Sequence, residues 1–425
     1  MFSRTKYGMS LISRVFLVGI TAFIVFSSIA VATVVAKPLT LTDALARARA
    51  AGFVAPAERA RLQGAYAAVG QAGVIPNPSI GLDIENFAGS GPYRGVSGPE
   101  TTLSYSQVIE LGGKREARTT VALAELDATR SKGNVRILDL LREVELAWIE
   151  VAVASAQRRL AEDRLAISRS LREEIGRRAE SGRDPAYAVP RAEAQVGLDE
   201  IALEQARSME RIAKASLAGF WRGGPDYTID QTWLERPASP TERAYNAELA
   251  LLESEAKVAL ARVRLELTRS IQDPTIKIGV RHFADTKDAA LVAGFSIPLP
   301  LFDTNQGNIA KAQADQLAAE NDIANSRLTL QREFARYRAR LKASSTEARR
   351  IEAEVIPQAE RAIQLVRDGL QRGAFSFVEF TDAQRIFNDA RLRRIEALRT
   401  FHSDNAALAR LTGRHGRFSE RKTRK

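Results

Sequence analysis

The chain has 425 residues, a net charge of +11 and no cysteine. Without cysteine it can form no disulfide, no thiolate metal site and no cysteine nucleophile. Aromatic residues make up 7% of the chain, alanine and arginine are abundant, and no Gly/Pro/Ser-rich linker divides it, which favours long helices packed side by side.

The N-terminus has the pattern of an export signal. Basic residues precede an apolar run from Val15 to Ala36, and small residues close that run. We therefore predict that residues 1–36 form a secretory signal peptide and that the mature chain begins near Thr33 or Lys37. A retained membrane anchor is the alternative, because the run is nearly long enough to span a bilayer.

The next segment, residues 38–236, predicts a helix, two strands and a long helical hairpin. The helix runs from Leu41 to Gly73 and ends before a Pro-Asn-Pro step, since proline donates no amide hydrogen bond and restricts the residue before it. Alternating apolar and polar residues then predict strands at 79–87 and 101–108. A helical pattern that turns back on itself covers residues 113–221.

Residues 237–413 repeat this order of elements. A helix precedes strands that alternation predicts at 275–282 and 290–297. A second long helical hairpin is predicted at 305–411. Pro357 lies within the outgoing helix of this hairpin and should kink it.

Matched features indicate that the two halves are copies of one unit. The Asn77-Pro78 step before the first strand recurs as Asp273-Pro274, and the turn glycine Gly182 recurs as Gly373, each roughly 195 positions later. A near-constant offset between unlike features indicates a tandem duplication. The predicted fold is mainly α with a small β part, in which each duplicated unit contributes one long antiparallel helical hairpin and one β-hairpin.

The long helices carry the apolar spacing of a coiled coil. In the first hairpin Ile137, Leu141, Val144, Trp148 and Val151 recur at alternating intervals of four and three residues. Shorter runs with the same spacing occur in the second hairpin. Both hairpins are therefore expected to pack along apolar seams.

The four predicted strands have the length and the two-faced pattern of a membrane β-barrel wall. An ordinary two-stranded ribbon on a soluble domain is the alternative for each hairpin. Four strands do not close a barrel, and open sheet edges are not tolerated in lipid, so several chains must share one barrel. The helical hairpins would continue as a tube into the aqueous compartment, which indicates a conduit and not an enzyme.

Charged residues of opposite sign lie on the polar faces of the two β-hairpins. Asp83 and Glu85 belong to the first hairpin, whereas Lys277 and Arg281 occupy the matching face of the second. Acidic residues lining a barrel would favour cations. Because the signs oppose one another, no charge selectivity is predicted.

Five motifs, spread over about residues 38–413, carry a resemblance to a known family. They are Ile75–Pro78, Glu100–Leu103, Gln107–Arg115, Pro357–Glu360 and Gly373–Gln384. With these motifs in this order along a duplicated frame, the chain resembles the TolC-type outer-membrane channels of tripartite efflux systems. Within them it looks most like the heavy-metal branch, of the cobalt–zinc–cadmium type.

The resemblance implies an architecture, a location and partners. The architecture is a homotrimeric α/β-barrel, with a shared twelve-stranded barrel in outer-membrane lipid and a twelve-helix α-helical tunnel extending into the periplasm. The partners are a periplasmic adaptor, or membrane fusion protein, and an inner-membrane pump of the RND type. The implied function is a passive exit duct for heavy-metal cations.

Two alternatives to this function stay open. One is a duct of the same kind for drugs or for type I protein secretion. The other is a periplasmic coiled-coil scaffold or adaptor that has no membrane barrel. Four strands in two matched hairpins favour the barrel over the scaffold.

The resemblance also assigns roles to the two helix tips. The residues expected to contact the adaptor are Gly182, Arg183, Asp184, Tyr187, Gly373, Phe375, Ser376 and Phe377. Three carboxylates near the tips, Asp184, Glu379 and Asp382, are candidates for acidic rings in the trimer. Solvated carboxylates at helix ends are the alternative interpretation.

No catalytic, cofactor or metal site is predicted. The three histidines, His282, His402 and His415, are far apart, whereas a metal site needs several ligands at fixed spacing. Gly112-Gly113-Lys114 lacks the spacing of a phosphate-binding loop. The basic segment 414–425 is predicted to be a disordered tail that binds no nucleic acid, because an exported protein rarely meets any.

Overall fold

The computed structural model describes residues 38–51, 54–94, 98–236 and 246–416. The predicted signal peptide, the junction between the two repeats and most of the basic tail lie outside these residues. Within the described residues the chain forms long α-helices and one antiparallel sheet. The helices are α1 (Leu41–Ala51), α2 (Val54–Ala72), α3 (Lys114–Glu180), α4 (Ala188–Gly219), α5 (Ala247–Arg269), α6 (Gln306–Arg350), α7 (Ile356–Arg372) and α8 (Phe377–Leu411).

The sequence predicts one helix from Leu41 to Gly73, and the structure is helical on both sides of residues 52 and 53, as α1 and α2. Pro56 lies close to the described start of α2. Residues 52 and 53 themselves lie outside the described residues.

The strands are β1 (Ser79–Glu85), β2 (Glu100–Val108), β3 (Thr275–Phe283) and β4 (Ala289–Ser296). They form one sheet in the order β1-β2-β3-β4, with every neighbouring pair antiparallel. The predicted strands therefore exist and end within two residues of the predicted positions. The pairing of β2 with β3 joins the two halves, so the repeats are not separate units.

The connection between the halves is reinforced where β2 leads into α3. The Ile109 amide donates to the Pro274 carbonyl at 2.9 Å, and the Leu111 amide donates to Oδ1 of Asp273 at 2.8 Å. Nζ of Lys114 lies 2.7 Å from Oδ2 of the same carboxylate. The Asp273-Pro274 step of the second half thus fixes the start of the long helix of the first.

Helix α3 spans 67 residues, which at ~1.5 Å per residue is about 100 Å. Four of the five residues of its predicted seam are buried, with Leu141, Val144, Trp148 and Val151 all at most 1% exposed, and Ile137 is partly buried beside them. These residues form the main core together with α1, α4, α8 and the segment that follows α4. Within the described residues, none of the helices carries an apolar stretch that would cross a bilayer.

The outgoing helix of the second hairpin is interrupted near Pro357. A π-helical turn, Ile351–Val355, lies between α6 and α7. Proline at this position has no amide to donate to the turn before it, so the regular hydrogen-bond ladder is broken there. The irregularity of this helix is thus a π-turn directly before the Pro357 turn, at the place where a kink was predicted.

The segment expected to begin the disordered tail is ordered at its start. Arg414–Gly416 form a short 3-10 turn against α3. Nη2 of Arg414 lies 2.9 Å from Oε1 of Glu145, and Nε2 of His415 lies 2.8 Å from Oε2. Glu145 is buried, so this carboxylate requires basic partners, and it obtains them from the C-terminal end of the described chain.

Candidate functional site at the sheet and the helix tips

One face of the sheet is apolar and exposed. Leu82, Leu103, Val280 and Leu291 stand in register across all four strands. Their side chains are 63%, 55%, 48% and 88% exposed. A continuous apolar face of this kind, left open by the chain's own helices, is the surface that a barrel presents to lipid.

The opposite face of the sheet carries the predicted charges, and they are paired. Nζ of Lys277 lies 2.8 Å from Oδ2 of Asp83. Arg281 contacts Glu85 at 2.8 Å and Glu100 at 2.9 Å. The prediction that the signs would oppose one another therefore holds at the level of individual ion pairs.

The sheet has two open edges. β1 and β4 are the end strands, and each has a neighbour on one side only. Their unpaired amides and carbonyls require a partner, because lipid offers none.

A second exposed apolar segment follows β4 and was not given a role by the sequence analysis. Leu299, Leu301 and Phe302 lie between the last strand and α6, and all three are largely exposed. Pro298 and Pro300 lie on either side of Leu299, directly after the strand. The signal that could have identified this surface is the run of large apolar residues between those prolines.

The first helix tip is held by an arginine that the sequence analysis did not select. The guanidinium of Arg178 donates to both carboxylate oxygens of Asp184, at 2.7 and 3.1 Å. It also donates to the Leu370 carbonyl at the end of α7. Hydrogen bonding to Asp184 raises the pKa of Arg178, so the clamp stays charged. Gly182 closes the helix in the left-handed conformation, at φ 70°.

The second tip is held mainly by backbone geometry and packing. Gly373 has φ 81°, and the Ala374 amide donates to the Gly369 carbonyl at 2.8 Å. Ser376 then caps α8 in a reciprocal capping box with Glu379. The Ser376 amide donates to the Glu379 carboxylate at 2.6 Å, and this hydrogen bond lowers the pKa of Glu379.

The two tips share one apolar cluster. Its buried members come from α3, α4, α7 and α8, namely Leu171, Ile175, Ala188, Ala192, Ile363, Leu370, Phe377, Phe380 and Ala383. Phe377, one of the residues expected to contact an adaptor, has its ring buried in this cluster. By contrast, Arg183, Tyr187, Phe375 and Ser376 are exposed.

The three tip carboxylates are each engaged within the chain. Asp184 is the partner of Arg178 and its side chain is 13% exposed, so it is not a free member of an acidic ring. Glu379 belongs to the capping box. Asp382 lies 2.7 Å from Arg385, although both side chains are exposed. Spacing along the chain placed these residues near the tips but did not reveal their partners.

His282 is on the sheet, whereas His402 and His415 lie on and just after α8, where Glu145 bonds His415 and its charge also acts on His402. His282 lies at the β3–β4 turn, with Nδ1 3.1 Å from the Asp288 carbonyl. His402 is buried, its Nε2 is 2.9 Å from the Leu234 carbonyl, and burial lowers its pKa. Within the described ranges, no three His, Asp or Glu side chains are grouped so as to hold a metal ion.

Comparisons with known proteins agree on one class. The family model described as "Outer membrane efflux protein" matches residues 55–221 and 242–414, once for each half of the chain. The cobalt-zinc-cadmium resistance protein CzcC of Cupriavidus metallidurans is 28% identical over 394 residues, covering 89% of this chain and 91% of CzcC. The nickel and cobalt resistance protein CnrC of the same organism is 29% identical over 298 residues, covering 68% of this chain and 70% of CnrC. The solved structure of VceC from Vibrio cholerae superposes with a TM-score of 0.71 at 21% identity, covering 88% of this chain and 96% of VceC.

Proposed function

The chain belongs to the outer membrane efflux protein family, and from this premise we propose that it is the exit duct of a tripartite export system whose cargo is heavy-metal cations. The resemblance to TolC-type channels of the heavy-metal branch is confirmed by the matches, and the protein is an outer membrane protein. The single observation that carries the proposal is a four-stranded sheet with an exposed apolar face and two open edges.

The open edges support assembly from several copies. In lipid every backbone polar group must find a partner, so β1 of one copy has to pair with β4 of the next. Three copies would supply twelve strands, enough for a closed wall around an aqueous lumen. The apolar face would then contact lipid, while the ion-paired face would line the duct.

The duplication supports the same assembly. Asp273 of the second half holds the start of α3 in the first half. Asn77 occupies the position of Asp273 in the first half. By the same repeat, the segment that Asn77 would hold is the one before α6. In a ring of copies that segment would come from the neighbouring chain, where Leu299, Leu301 and Phe302 are exposed.

The helix tips are the proposed contact for a periplasmic adaptor, and through it for an inner-membrane RND-type pump. Tyr187 and Phe375 present aromatic surface at the two tips, and Arg183 adds a charge beside Tyr187. Aromatic residues and arginine are the residue types that dominate binding at interfaces. The backbone at Gly182 and Gly373 fixes where these side chains are presented.

The cargo proposal rests on the relatives, because CzcC and CnrC are named as metal resistance proteins. The duct would be passive, with the energy supplied by the pump. Ducts for drugs or for secreted proteins use the same fold, so cargo is decided by measurement. In a host that lacks its own duct but carries a heavy-metal adaptor and pump, the chain should lower cellular cobalt, zinc and cadmium. If it lowers only the accumulation of a hydrophobic dye, the cargo proposal is wrong.

Assembly can be tested by cysteine crosslinking, because the chain has no cysteine of its own. Ser79→Cys on β1 would be combined in turn with Ala290→Cys, Val292→Cys and Gly294→Cys on β4. Chains in the outer membrane should form crosslinked species that stop at three copies. Each single variant is the matched control and should remain uncrosslinked. Monomers for every pair would contradict the shared barrel and favour a periplasmic scaffold.

A further inference from the structure

The charges on the lumen-facing side of the sheet are distributed by strand. Both cations, Lys277 and Arg281, are on β3, while the carboxylates are on β1 and β2. Lys277 therefore reaches Asp83 by crossing over the whole width of β2, and the two groups meet at 2.8 Å. Each cation acts as a strap that lies along the sheet instead of extending into the lumen.

Burial of the strand beneath confirms that the straps lie flat. Thr102 and Ser104 of β2 are polar residues on the lumen side, yet they are 2% and 3% exposed. Nε of Arg281 donates to Oγ1 of Thr102 at 2.9 Å. Gly279 lies between the two cations on β3 and packs closely on β2, since a Cβ there would come within 2.6 Å of the Leu103 carbonyl.

The fourth strand contributes no charge to this face. Register places Ala290, Val292 and Gly294 of β4 beside the lumen-side residues of β3. The charged residues of the paired face are Asp83, Glu85, Glu100, Lys277 and Arg281. Carboxylates outnumber cations by one, so this face carries a small net negative charge in each chain. Most of its charged groups are paired with a neighbour of opposite sign.

We propose that these straps set the ion selectivity of the duct by holding its wall charges in a compensated state. This inference rests on the proposed function, since it requires that the face line a conducting lumen. Ions in a channel respond to wall charges within about 8 Å at physiological salt. A pair at 2.8 Å acts as a dipole, whose field falls off faster than that of a single charge. The small negative excess leaves a weak preference for cations, in keeping with a cation cargo.

Removal of one partner exposes the charge of the other. Lys277→Gln leaves Asp83 uncompensated in every copy, which should increase the preference for cations. Asp83→Asn leaves Lys277 uncompensated and should shift the preference toward anions. The charge exchange Asp83→Lys with Lys277→Asp restores a pair on the same two strands. This double variant should return the selectivity to the wild-type value. If the two positions acted independently, exchanging their charges would not restore it.

The experiment is the reversal potential of the purified duct in a planar bilayer, under a tenfold KCl gradient at low ionic strength. The expected ratio of cation to anion permeability rises at least twofold in Lys277→Gln, falls at least twofold in Asp83→Asn, and recovers in the exchange variant. Lys277→Arg is the matched control, because it changes the same position but keeps a positive charge beside Asp83 and should leave the ratio unchanged.

Folding and conduction are checked separately from selectivity. Each variant is compared with wild type for its trimer on a native gel and for its single-channel conductance. If the variants conduct as trimers with an unchanged reversal potential, the strap inference is wrong and the duct proposal stands. If wild type neither forms a trimer nor conducts, the duct proposal fails and the inference fails with it.

Discussion

Both helix tips end one long helix and reverse the chain, but different interactions stabilise them. The first tip depends on one buried guanidinium, which ties Asp184 to its own helix and reaches the Leu370 carbonyl on the other hairpin. The second depends on Gly373, on Phe375 lying over Gly369, and on a capping box. The first tip is therefore sensitive to loss of a charge, and the second to loss of space and of a cap.

The same difference shows which tip makes the hydrogen bond that joins the two helical hairpins. Arg178 hydrogen-bonds to both hairpins, whereas the capping box of the second tip lies within one hairpin. Loss of the arginine should therefore disturb both tips. Changes at the second tip should remain local, because the shared apolar cluster still joins the hairpins.

The largest effect is expected from Arg178→Ala, which leaves Asp184 and the Leu370 carbonyl without their partner. Breaking a partly buried ion pair from one side costs about 3 kcal/mol. Amide hydrogen exchange should report this as faster opening at both tips. Arg178→Lys should recover only part of the protection, because lysine does not make the bidentate contact.

The neighbouring arginine provides the control for this prediction. Arg177 is exposed and pairs with Glu174 on its own helix. Arg177→Ala should therefore change exchange at the tips by less than about 0.5 kcal/mol. Equal effects at positions 177 and 178 would contradict the clamp.

A smaller effect is expected from Gly369→Ala at the second tip. The added Cβ would overlap the ring of Phe375, which has to swing away. Overpacking of this kind costs about 1 to 2 kcal/mol. Faster exchange should be confined to the second tip, and adding Phe375→Ala should relieve it. If the double variant is no better than Gly369→Ala alone, the ring contact is not the cause.

Loss of the helix cap at Ser376 is expected to destabilise the second tip less than Gly369→Ala does. Ser376→Ala removes the side-chain oxygen from the capping box, which costs about 1 kcal/mol. Exchange of the first amides of α8 measures this loss. Ser376→Asp is the matched variant and should restore protection, since aspartate caps helices as well as serine does. Protection that is unchanged by Ser376→Ala would show that packing alone holds the helix start.

The smallest effect is a pH dependence at Glu379. The Ser376 amide holds the pKa of this carboxyl below its ordinary value of 4.5, so the ionised form stabilises the folded tip. That stabilisation is complete above pH 4.5 and is lost as pH falls through the folded pKa. Pepsin cleavage at the tip should therefore increase on acidification. Glu379→Gln, compared at each pH, should lack this dependence.

The repeating features of the fold were predictable because they depend on local periodicity. Alternation located all four strands, and the four-three spacing around Trp148 located the buried seam of α3. Glycine marked both tips, since a left-handed residue must close each helix there. The π-turn before Pro357 was harder to predict, because a proline's effect depends on its position within the helix.

The surroundings of two predicted site residues could not be read from the sequence. Phe377 was predicted to contact an adaptor and is buried, while Asp184 was a candidate for an acidic ring and is paired with Arg178. In both cases the deciding partner lies on another element or across a turn. A pattern within one segment carries no information about such a partner.

The amino-acid sequence by itself determined the element types, the duplication, the two-faced strands and the need for more than one copy, because these follow from periodicity and from backbone hydrogen bonding in lipid. Only the tertiary structure decided which charges meet. Asp83 meets Lys277 across an intervening strand, and Glu145 receives the C-terminal turn that had been expected to be disordered. Ion pairs depend on separations of a few ångströms between residues far apart in the chain, and the packing of the elements sets those separations.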